Sequence, residues 1–370
     1  MADRILVIAP YPPPYHGTSV PSKLFVEFLR ERYGVEVTVI NTHPSGKPWM
    51  HSHALRAIAF FVLTSVRIIK NISLYHTVFI SGSNRFIVTL GAFYTLLFSL
   101  LGKRVVVYIH GGAFDNYYRS LNPLFRFAVR QCLNRAKNLV VQTKWLYHSL
   151  FEEFRNIVML PHWTNAIASA KPKIARTASD DRSVRFVYVG EVRRGKGIQE
   201  LIHAFRRARH TLQSHHISIT LDIFGPTKSD FRDTFYDLLN SSEHIMYHGY
   251  VDHAVLIEQL GHFDALVLPT YFPTEGYPGV LVEAMAAGLA IITTRCGAIP
   301  EIVSHEENGL LCDPGDVNGL AEHLVRIALD DQLRRHLGEK AREMARQFDV
   351  NVVLPRLCAL CGLKILIPAQ

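Results

Sequence analysis

Short apolar runs alternate with longer amphipathic stretches along the chain. In the first half, the runs that predict buried strands are residues 4–9, 35–40, 76–80, 104–109 and 138–142. A helical pattern covers residues 21–33, where Pro21 suits a first helical turn. Continuous apolar strands separated by helices are typical of a parallel sheet with helices on both faces. The pattern therefore predicts an α/β domain with a doubly wound parallel sheet.

The same alternation begins again after residue 183, with strands predicted at residues 185–190, 217–224, 244–247, 264–268 and 290–293. Residues 166–183 are rich in Ala, Ser and Lys, a composition typical of a linker. We therefore expect two Rossmann-like domains, residues 1–165 and 184–335, followed by a helical tail over residues 336–370. Two such domains are expected to bind a ligand in the cleft between them, at the carboxyl ends of the strands.

Two apolar stretches in the first half raise the question of membrane insertion. An uncharged run of 16 residues covers positions 86–101 and is bounded by Arg85 and Lys103. A membrane-spanning helix needs roughly 20 apolar residues, and this run lies between two predicted strands. It therefore favours a buried or half-buried crossover helix. Residues 55–69 contain Arg56 and Arg67 and predict an amphipathic helix instead.

Charge is distributed unevenly between the halves. The chain carries a net charge of +8, yet residues 1–165 hold 18 Lys and Arg against 7 Asp and Glu, a net charge of +11. No acidic residue lies between Glu36 and Asp115. A one-sided basic surface indicates a polyanionic partner, either nucleic acid or an anionic membrane. The basic half lacks the interleaved aromatic residues of nucleic-acid binders, so the membrane surface is the expected partner.

The remaining bulk features point to the cytoplasm. The apolar run before Pro10 is too short for the core of a signal peptide. The 5 cysteines form no disulfide framework in a chain of this length. Cys358 and Cys361 form a lone C-x-x-C pair, which predicts buried thiols rather than a zinc site. We expect a cytoplasmic protein.

The stretch from Phe263 to Gly288 carries the strongest candidate chemistry. A predicted strand ends at residue 268, a loop follows with Glu275, and a helix begins near residue 280 and carries Glu283. Glycines before a helix leave backbone N–H groups at the positive end of the helix dipole, which suits a diphosphate. Carboxylates accept hydrogen bonds from sugar hydroxyls. From spacing alone, however, Glu283 could equally favour the helix dipole and Glu275 could be a solvated loop charge.

The stretch resembles the E-x7-E donor motif of the retaining glycosyltransferases of family 4, which have the GT-B fold. Its continuation matches that pattern too, through Gly297-Ala-Ile-Pro-Glu301 and Asn308-Gly-Leu-Leu311. The resemblance implies that Glu275 contacts hydroxyls of the transferred hexose and that Glu283 contacts the ribose. It also implies that the sugar and the diphosphate lie against a short backbone segment formed by Gly276, Tyr277, Pro278, Gly279 and Val280.

A second glycine loop, residues 189–197, follows the first strand of the second half and contains Arg193, Arg194 and Lys196. Basic side chains there could stabilise the departing diphosphate, or they could belong to a solvated basic loop. In similar enzymes an Arg directly follows the first glycine and a Lys precedes the last. Lys196 matches that Lys, whereas Glu191 occupies the position of the Arg. Whether Arg193 or Arg194 replaces it stays open.

Other strand ends resemble the remaining parts of the family's site. Gly225, Gly249 and Tyr250 follow strands that resemble those lining the nucleobase pocket in similar enzymes, although each could equally be an ordinary strand-to-loop residue. In the first half, Gly17 lies in the loop that approaches the phosphates, and His110 follows a strand and could donate to a sugar hydroxyl. We give no role to His16, His76 or His248. The expected catalytic residues are thus Glu275, His110 and Lys196.

Together, these features predict retaining transfer of a hexose-type sugar from a UDP- or GDP-sugar to a lipid-linked or growing cell-surface glycan. The first domain is expected to bind the acceptor and the second the nucleotide sugar, while the tail crosses back as in similar folds. No Asp-x-Asp sequence occurs, so neither metal nor cofactor is expected beyond the nucleotide sugar. The enzyme would lie peripherally on the inner membrane face and bind no nucleic acid.

Two other functions stay open. One is a nucleotide-sugar epimerase or hydrolase on the same fold. The other is a catalytically silent subunit that binds nucleotide sugars, which the presence of Glu191 would favour.

Overall fold

The computed structural model describes residues 4–13, 17–42, 72–169, 183–240, 242–272 and 275–363. The chain divides into two compact units, which we call unit 1 (Met1–Trp163 with Val350–Gln370) and unit 2 (Thr164–Asp349). Each unit contains a six-stranded sheet, and the strand pairings described are all parallel. The predicted α/β class with two parallel sheets is confirmed.

Unit 1 has the strand order β2-β1-β3-β4-β5-β6. Its strands are β1 (Arg4–Ala9), β2 (Glu36–Asn41), β3 (Thr77–Gly82), β4 (Arg104–Ile109), β5 (Asn138–Val141) and β6 (Ile157–Met159). Its first helices are α1 (Ser19–Tyr33), α2 (Asn84–Phe86), α3 (Ala92–Leu100), α4 (Phe114–Arg119), α5 (Pro123–Leu133) and α6 (Lys144–Leu150).

The uncharged run at 86–101 folds as the predicted half-buried crossover helix between β3 and β4. A π-helical turn, Ile87–Gly91, joins α2 to α3. Tyr94 and Phe98 face the core, whereas Leu100 is 65% exposed. Among the residues that the structure describes, no helix combines the length and the hydropathy needed to cross a bilayer. The amphipathic stretch predicted at residues 55–69 lies outside the described residues.

Unit 2 has the strand order β12-β11-β10-β7-β8-β9. Its strands are β7 (Ser183–Val189), β8 (Ser218–Phe224), β9 (Ile245–Gly249), β10 (Ala265–Leu268), β11 (Ala290–Thr294) and β12 (Leu310–Cys312). Its helices are α7 (Ala166–Ser169), α8 (Ile198–Gln213), α9 (Arg232–Asn240), α10 (His253–Leu260), α11 (Gly279–Ala286), α12 (Val317–Leu329) and α13 (Asp331–Ala345).

The C-terminal segment is divided between the two units. The sequence places the start of the tail at residue 336, but α13 packs on α11 and β11 within unit 2. This packing is close because Gly338 lies against the backbone of Gly288. The last helix, α14 (Val350–Leu360), belongs to unit 1 and buries Val353, Leu354 and Leu357 beside β1. The boundary between the units therefore lies at residue 349 and not at residue 335.

The predicted linker differs from the structure at its start. Residues 166–169 form α7, and Ala166 is buried in the core of unit 2. The rest of the linker, residues 170–182, lies outside the described part of the chain.

Candidate functional site

The strand order of unit 2 reverses between β7 and β10, which lie side by side. From β7 the chain moves to β8 and β9, and from β10 it moves to β11 and β12, in the opposite direction. Loops diverge at such a reversal and leave a crevice at the carboxyl ends of the two strands. The loop after β7 carries Lys196 and the loop after β10 carries Glu275. Sheet topology thus brings together two segments that the sequence singled out separately.

Lys196 and Glu275 form an ion pair at this crevice. The Lys196 Nζ lies 2.6 Å from Oε2 of Glu275, and the same oxygen accepts a hydrogen bond of 2.7 Å from the Thr270 hydroxyl. The side chains of Lys196 and Glu275 are only 18% and 11% exposed. Oε2 of Glu275 is thus held by two donors, and the pair forms a polar site in which both charges are compensated.

Two glycines fix the backbone around this pair. Gly197 has a φ of +72°, and a Cβ there would lie 2.0 Å from the carbonyl oxygen of Pro269. Gly297 has a φ of +55°, and its Cβ would lie 2.2 Å from the carbonyl oxygen of Glu275. No side chain fits at either position, and the φ values themselves favour glycine. The glycines therefore allow three loops to approach one another closely around Glu275.

Helix α11 begins directly after this loop. Pro278 is its N-cap residue and has no side chain that can accept a hydrogen bond, so it leaves the first amides of the helix uncapped. Glu283 lies further along α11, and its Oε1 lies 2.8 Å from Nε2 of His253. The hydrogen bond to Glu283 is the main cause that raises the pKa of His253; burial opposes it, and the charges of Glu283 and Asp252 add smaller upward contributions.

The basic residues of the β7 loop occupy different surroundings. The Arg193 guanidinium lies 4.9 Å from the ring centre of Phe272, and the Lys196 Nζ lies 5.2 Å from the same ring. Arg194 instead lies over Phe231, at 5.9 Å. Arg193 and Lys196 thus share one aromatic side chain, and Arg194 contacts another.

Glu191, which stands where similar enzymes have an Arg, is not an isolated negative charge. Its two carboxylate oxygens lie 2.9 Å from Nζ of Lys228 and 3.5 Å from Arg193. Because two cations face one carboxylate, this end of the loop keeps an excess of positive charge.

Backbone contacts also bring together Gly225 and Gly249, since the N–H of Gly225 donates to the Gly249 carbonyl at 2.7 Å. Tyr250, the next residue, is 61% exposed.

In the segment before α11, Gly276 and Tyr277 are buried, and the Tyr277 hydroxyl donates to Oε2 of Glu301 at 2.5 Å. Gly279 and Val280 form the first turn of α11.

The predicted site residues of unit 1 lie at the carboxyl ends of its strands. His110 directly follows β4 and is 8% exposed, and its Nδ1 lies 3.4 Å from Nε2 of Gln142. Gln142 Oε1 also accepts from the N–H of Gly111 at 3.0 Å. Gly17 begins the turn before α1. His16 lies outside the described residues.

Three residues that contact the predicted ones were not selected from the sequence. Thr270 holds Glu275, His253 holds Glu283, and Glu301, which the motif contains without an assigned role, holds Tyr277. Thr270 lies in the loop after β10, the same loop as Glu275, and this position could have marked it as a candidate contact from the sequence. His253 is one of 19 histidines and follows the helix-capping Asp252, so its partner, 30 residues away, has no signature in the sequence.

Solved structures of the same architecture cover almost the whole chain. HepE from Anabaena, in complex with UDP and glucose, superposes with a TM-score of 0.71 at 16% identity, over 97% of this chain and 99% of that one. Sucrose-phosphate synthase from Thermosynechococcus elongatus superposes with a TM-score of 0.72 at 18% identity, over 97% and 98%. Two parallel-sheet units of this kind define the GT-B fold.

The second half of the chain resembles a known protein family. The family model described as "Glycosyl transferases group 1" matches residues 170–344, which include both the β7 loop and the E-x7-E segment. This part of the chain is therefore similar to the group 1 glycosyltransferases.

Curated relatives resemble only part of the chain. N-acetyl-alpha-D-glucosaminyl L-malate synthase from Bacillus anthracis is 29% identical over 231 residues, 60% of this chain and 58% of the relative. Glycogen synthase from Mycobacterium tuberculosis is 33% identical over 195 residues, 51% of this chain and 45% of the relative. The chain thus spans about half the length of the curated relatives it matches.

Proposed function

We propose that the protein transfers a hexose-type sugar from a UDP- or GDP-sugar to the hydroxyl of a lipid-linked or growing glycan, with retention of the anomeric configuration. Unit 2 binds the nucleotide sugar and unit 1 binds the acceptor. The observation that carries the proposal is the Lys196–Glu275 pair at the β7–β10 reversal, directly before the uncapped first turn of α11.

The chemistry of the crevice suits a nucleotide diphosphate with a sugar attached. The first amides of α11 and the charges of Lys196 and Arg193 stabilise the diphosphate. Glu275 accepts hydrogen bonds from the hydroxyls of the sugar, and Glu283 accepts from the ribose. Glu275 now accepts hydrogen bonds from Lys196 and Thr270. When the sugar binds, its hydroxyls compete with these two groups as donors to Glu275.

The proposed step breaks the bond between the anomeric carbon and the β-phosphate oxygen and forms one to the acceptor hydroxyl oxygen on the same face. The acceptor proton passes to the departing phosphate, so no protein base is required. The fixed charges of Lys196 and Arg193 stabilise the negative charge that develops on the leaving diphosphate. We propose that this stabilisation makes the reaction independent of a metal ion.

The acceptor is proposed to lie in a membrane, because unit 1 presents apolar and basic side chains together. Helices α3 and α5 pack side by side, and Oγ of Ser99 donates to the carbonyl of Arg135 at 3.0 Å. We call their exposed face the α3–α5 surface. Its exposed apolar side chains are Phe93 (45%), Leu100 (65%), Leu124 (78%), Phe125 (42%) and Phe127 (59%).

Lys103 and Arg135 follow the last turns of α3 and α5. No acidic residue occurs in residues 37–114 or 116–151, which together hold both helices. Anionic lipid headgroups complement such a surface, and its apolar side chains enter the interface without spanning the membrane.

The proposed function is tested by donor binding and turnover. A panel of nucleotide sugars is screened for a rise in the unfolding midpoint, since a ligand present at 100 times its Kd stabilises the folded state by about 2.7 kcal/mol. The stabilising sugar is then assayed with glycan and lipid-linked acceptors, with and without excess chelator. We expect stabilisation by a UDP- or GDP-sugar, and turnover that survives chelation.

Glu275→Gln and Glu283→Gln should each lower kcat/KM by about 10–100-fold with the fold retained, because each removes a charge-assisted hydrogen bond. Glu307→Gln on the exposed surface is the matched control. A new sugar isomer or free sugar formed without acceptor would identify an epimerase or hydrolase, and binding without any turnover would identify a silent subunit. Activity that is lost to chelator and restored by a divalent ion would contradict metal independence.

A further inference from the structure

Glu283 is held by a residue that no sequence motif singled out. Its Oε1 lies 2.8 Å from Nε2 of His253, and the two side chains are 11% and 29% exposed. A carboxylate that is this far buried needs a hydrogen-bond partner. The imidazole N–H supplies that partner and fixes the direction in which the carboxylate points.

The partner itself is fixed by the start of α10. His253 is the first residue of this helix, and the Asp252 carboxylate caps the helix by accepting from the N–H of Ala254 at 2.9 Å. Within the part of the chain that the structure describes, Oε2 of Glu283 has no hydrogen-bond partner of its own. One oxygen of Glu283 is therefore occupied and the other is available.

We propose that His253 is a positioning residue for the nucleotide: it holds Oε1 of Glu283 so that Oε2 accepts hydrogen bonds from the ribose hydroxyls. The inference rests on the proposed function, because it takes Glu283 as the residue that contacts the ribose. Its consequence is that the affinity for the nucleotide depends on pH, through the charge of His253.

The direction of that dependence follows from the groups around the imidazole. Glu283 faces it from α11 and Asp252 from its own helix, and both raise the pKa of His253 above its ordinary value. Helix α7, which also packs on α10, contributes no charged residue. The imidazolium is therefore present at low pH and is lost as the pH rises through the raised pKa. Because the nucleotide is anionic, its Kd should increase as that charge is lost.

The test measures the Kd of UDP and of GDP by calorimetry between pH 6 and pH 9. It also measures kcat and KM for the nucleotide sugar that the protein uses as donor. His253→Ala should raise the Kd about tenfold at pH 6, since it removes a hydrogen bond to a charged group. His253→Gln keeps an N–H without a titrating charge, so it should restore most of the affinity and remove the pH dependence. In both variants KM should change and kcat should stay within about twofold, as expected for loss of ground-state binding.

His210→Ala, on the exposed side of α8, is the matched control for loss of a histidine. The inference is overturned if His253→Ala binds UDP and GDP like His210→Ala at every pH, or if His253→Gln retains the pH dependence of the wild type. These results would leave the proposed function standing, provided that the wild type turns over. A wild-type protein that binds neither nucleotide overturns the proposed function, and the inference with it.

Discussion

Glu191 replaces the Arg of similar enzymes in the β7 loop, yet the charge around it stays positive because Lys228 and Arg193 lie beside it. Similar enzymes have an Arg at this position, and an unpaired carboxylate there would repel a diphosphate. The structure pairs Glu191 with Lys228 and Arg193. Arg193 also lies over Phe272, the ring that Lys196 contacts, whereas Arg194 lies over Phe231. Arg193 is therefore the residue that we expect to replace the missing Arg.

This assignment predicts different effects for two neighbouring substitutions. Arg193→Ala should lower kcat by about a hundredfold, because it removes a cation that stabilises charge on the leaving diphosphate. Arg194→Ala serves as the matched control and should stay within about threefold of wild type. Steady-state kinetics with the preferred nucleotide sugar measures both effects. The reverse ranking would assign the role to Arg194, and two mild effects would exclude both residues.

At the level of elements, helix α11, which carries Glu283, packs against α13. The two helices meet where Gly338 of α13 approaches the backbone of Gly288, the second residue after α11. A Cβ at Gly338 would lie 2.3 Å from the Gly288 carbonyl oxygen. That backbone atom cannot move aside without shifting the end of α11 or the start of β11. The close contact therefore links the packing of α13 to the position of α11.

Gly338→Ala should consequently destabilise unit 2. Alanine is better than glycine inside a helix by about 1 kcal/mol, but forcing a methyl group into a filled contact costs about 1–3 kcal/mol, so the net effect should be a loss. Glu339→Ala, one residue later on the exposed face, should stay within about 0.5 kcal/mol of wild type. Denaturant unfolding compares the two variants. Equal or greater stability of Gly338→Ala would contradict the packing described for α13.

The whole molecule combines a basic first half, residues 1–165, with a weakly acidic remainder. Residues 1–165 carry a net charge of +11. Because the net charge of the whole chain is +8, the remaining residues carry a net charge of −3. The sequence predicted an anionic membrane partner from this charge, and it contains two apolar stretches in the same half, residues 55–69 and 86–101. The structure describes the second of these, in which Leu100 is exposed and Tyr94 and Phe98 are buried. It adds α5, whose exposed apolar residues the sequence reading did not select.

Vesicle sedimentation tests whether this surface docks on a membrane. The protein should sediment with anionic vesicles at low salt, be released at high salt, and ignore neutral vesicles. The double variant Lys103→Glu/Arg135→Glu should bind at least about thirtyfold more weakly, because each basic residue near the surface contributes about 1 kcal/mol. Arg335→Glu/Lys340→Glu in α13 changes the net charge equally and should bind like wild type.

Two results would contradict this surface: no sedimentation of the wild type with anionic vesicles at low salt, or equal weakening by the two double variants. The first would favour a soluble acceptor. The second would show that net charge acts without a defined surface. Release by detergent alone would indicate insertion instead of docking.

Much of the fold could be read from the sequence because strand signals are local. A parallel strand buried on both faces is a continuous apolar run, and ten such runs predicted ten strands close to their observed bounds. The strands β6 and β12 were missed because each has only 3 residues. The division of the tail was misplaced because α13 and α14 are both amphipathic helices, and the sequence does not say against which sheet a helix packs.

The sequence by itself determined the two parallel sheets, the glycine loops and the candidate residues Lys196, Glu275 and Glu283, since each of these has a signature within a few neighbouring positions. Only the tertiary structure decided which residues meet. Lys196 reaches Glu275 across 79 positions because β7 and β10 are neighbours at the reversal of strand order. His253 reaches Glu283 across 30 positions where α10 and α11 both pack on α7. Contacts of this kind depend on how the sheet is wound, and no local pattern of side chains encodes them.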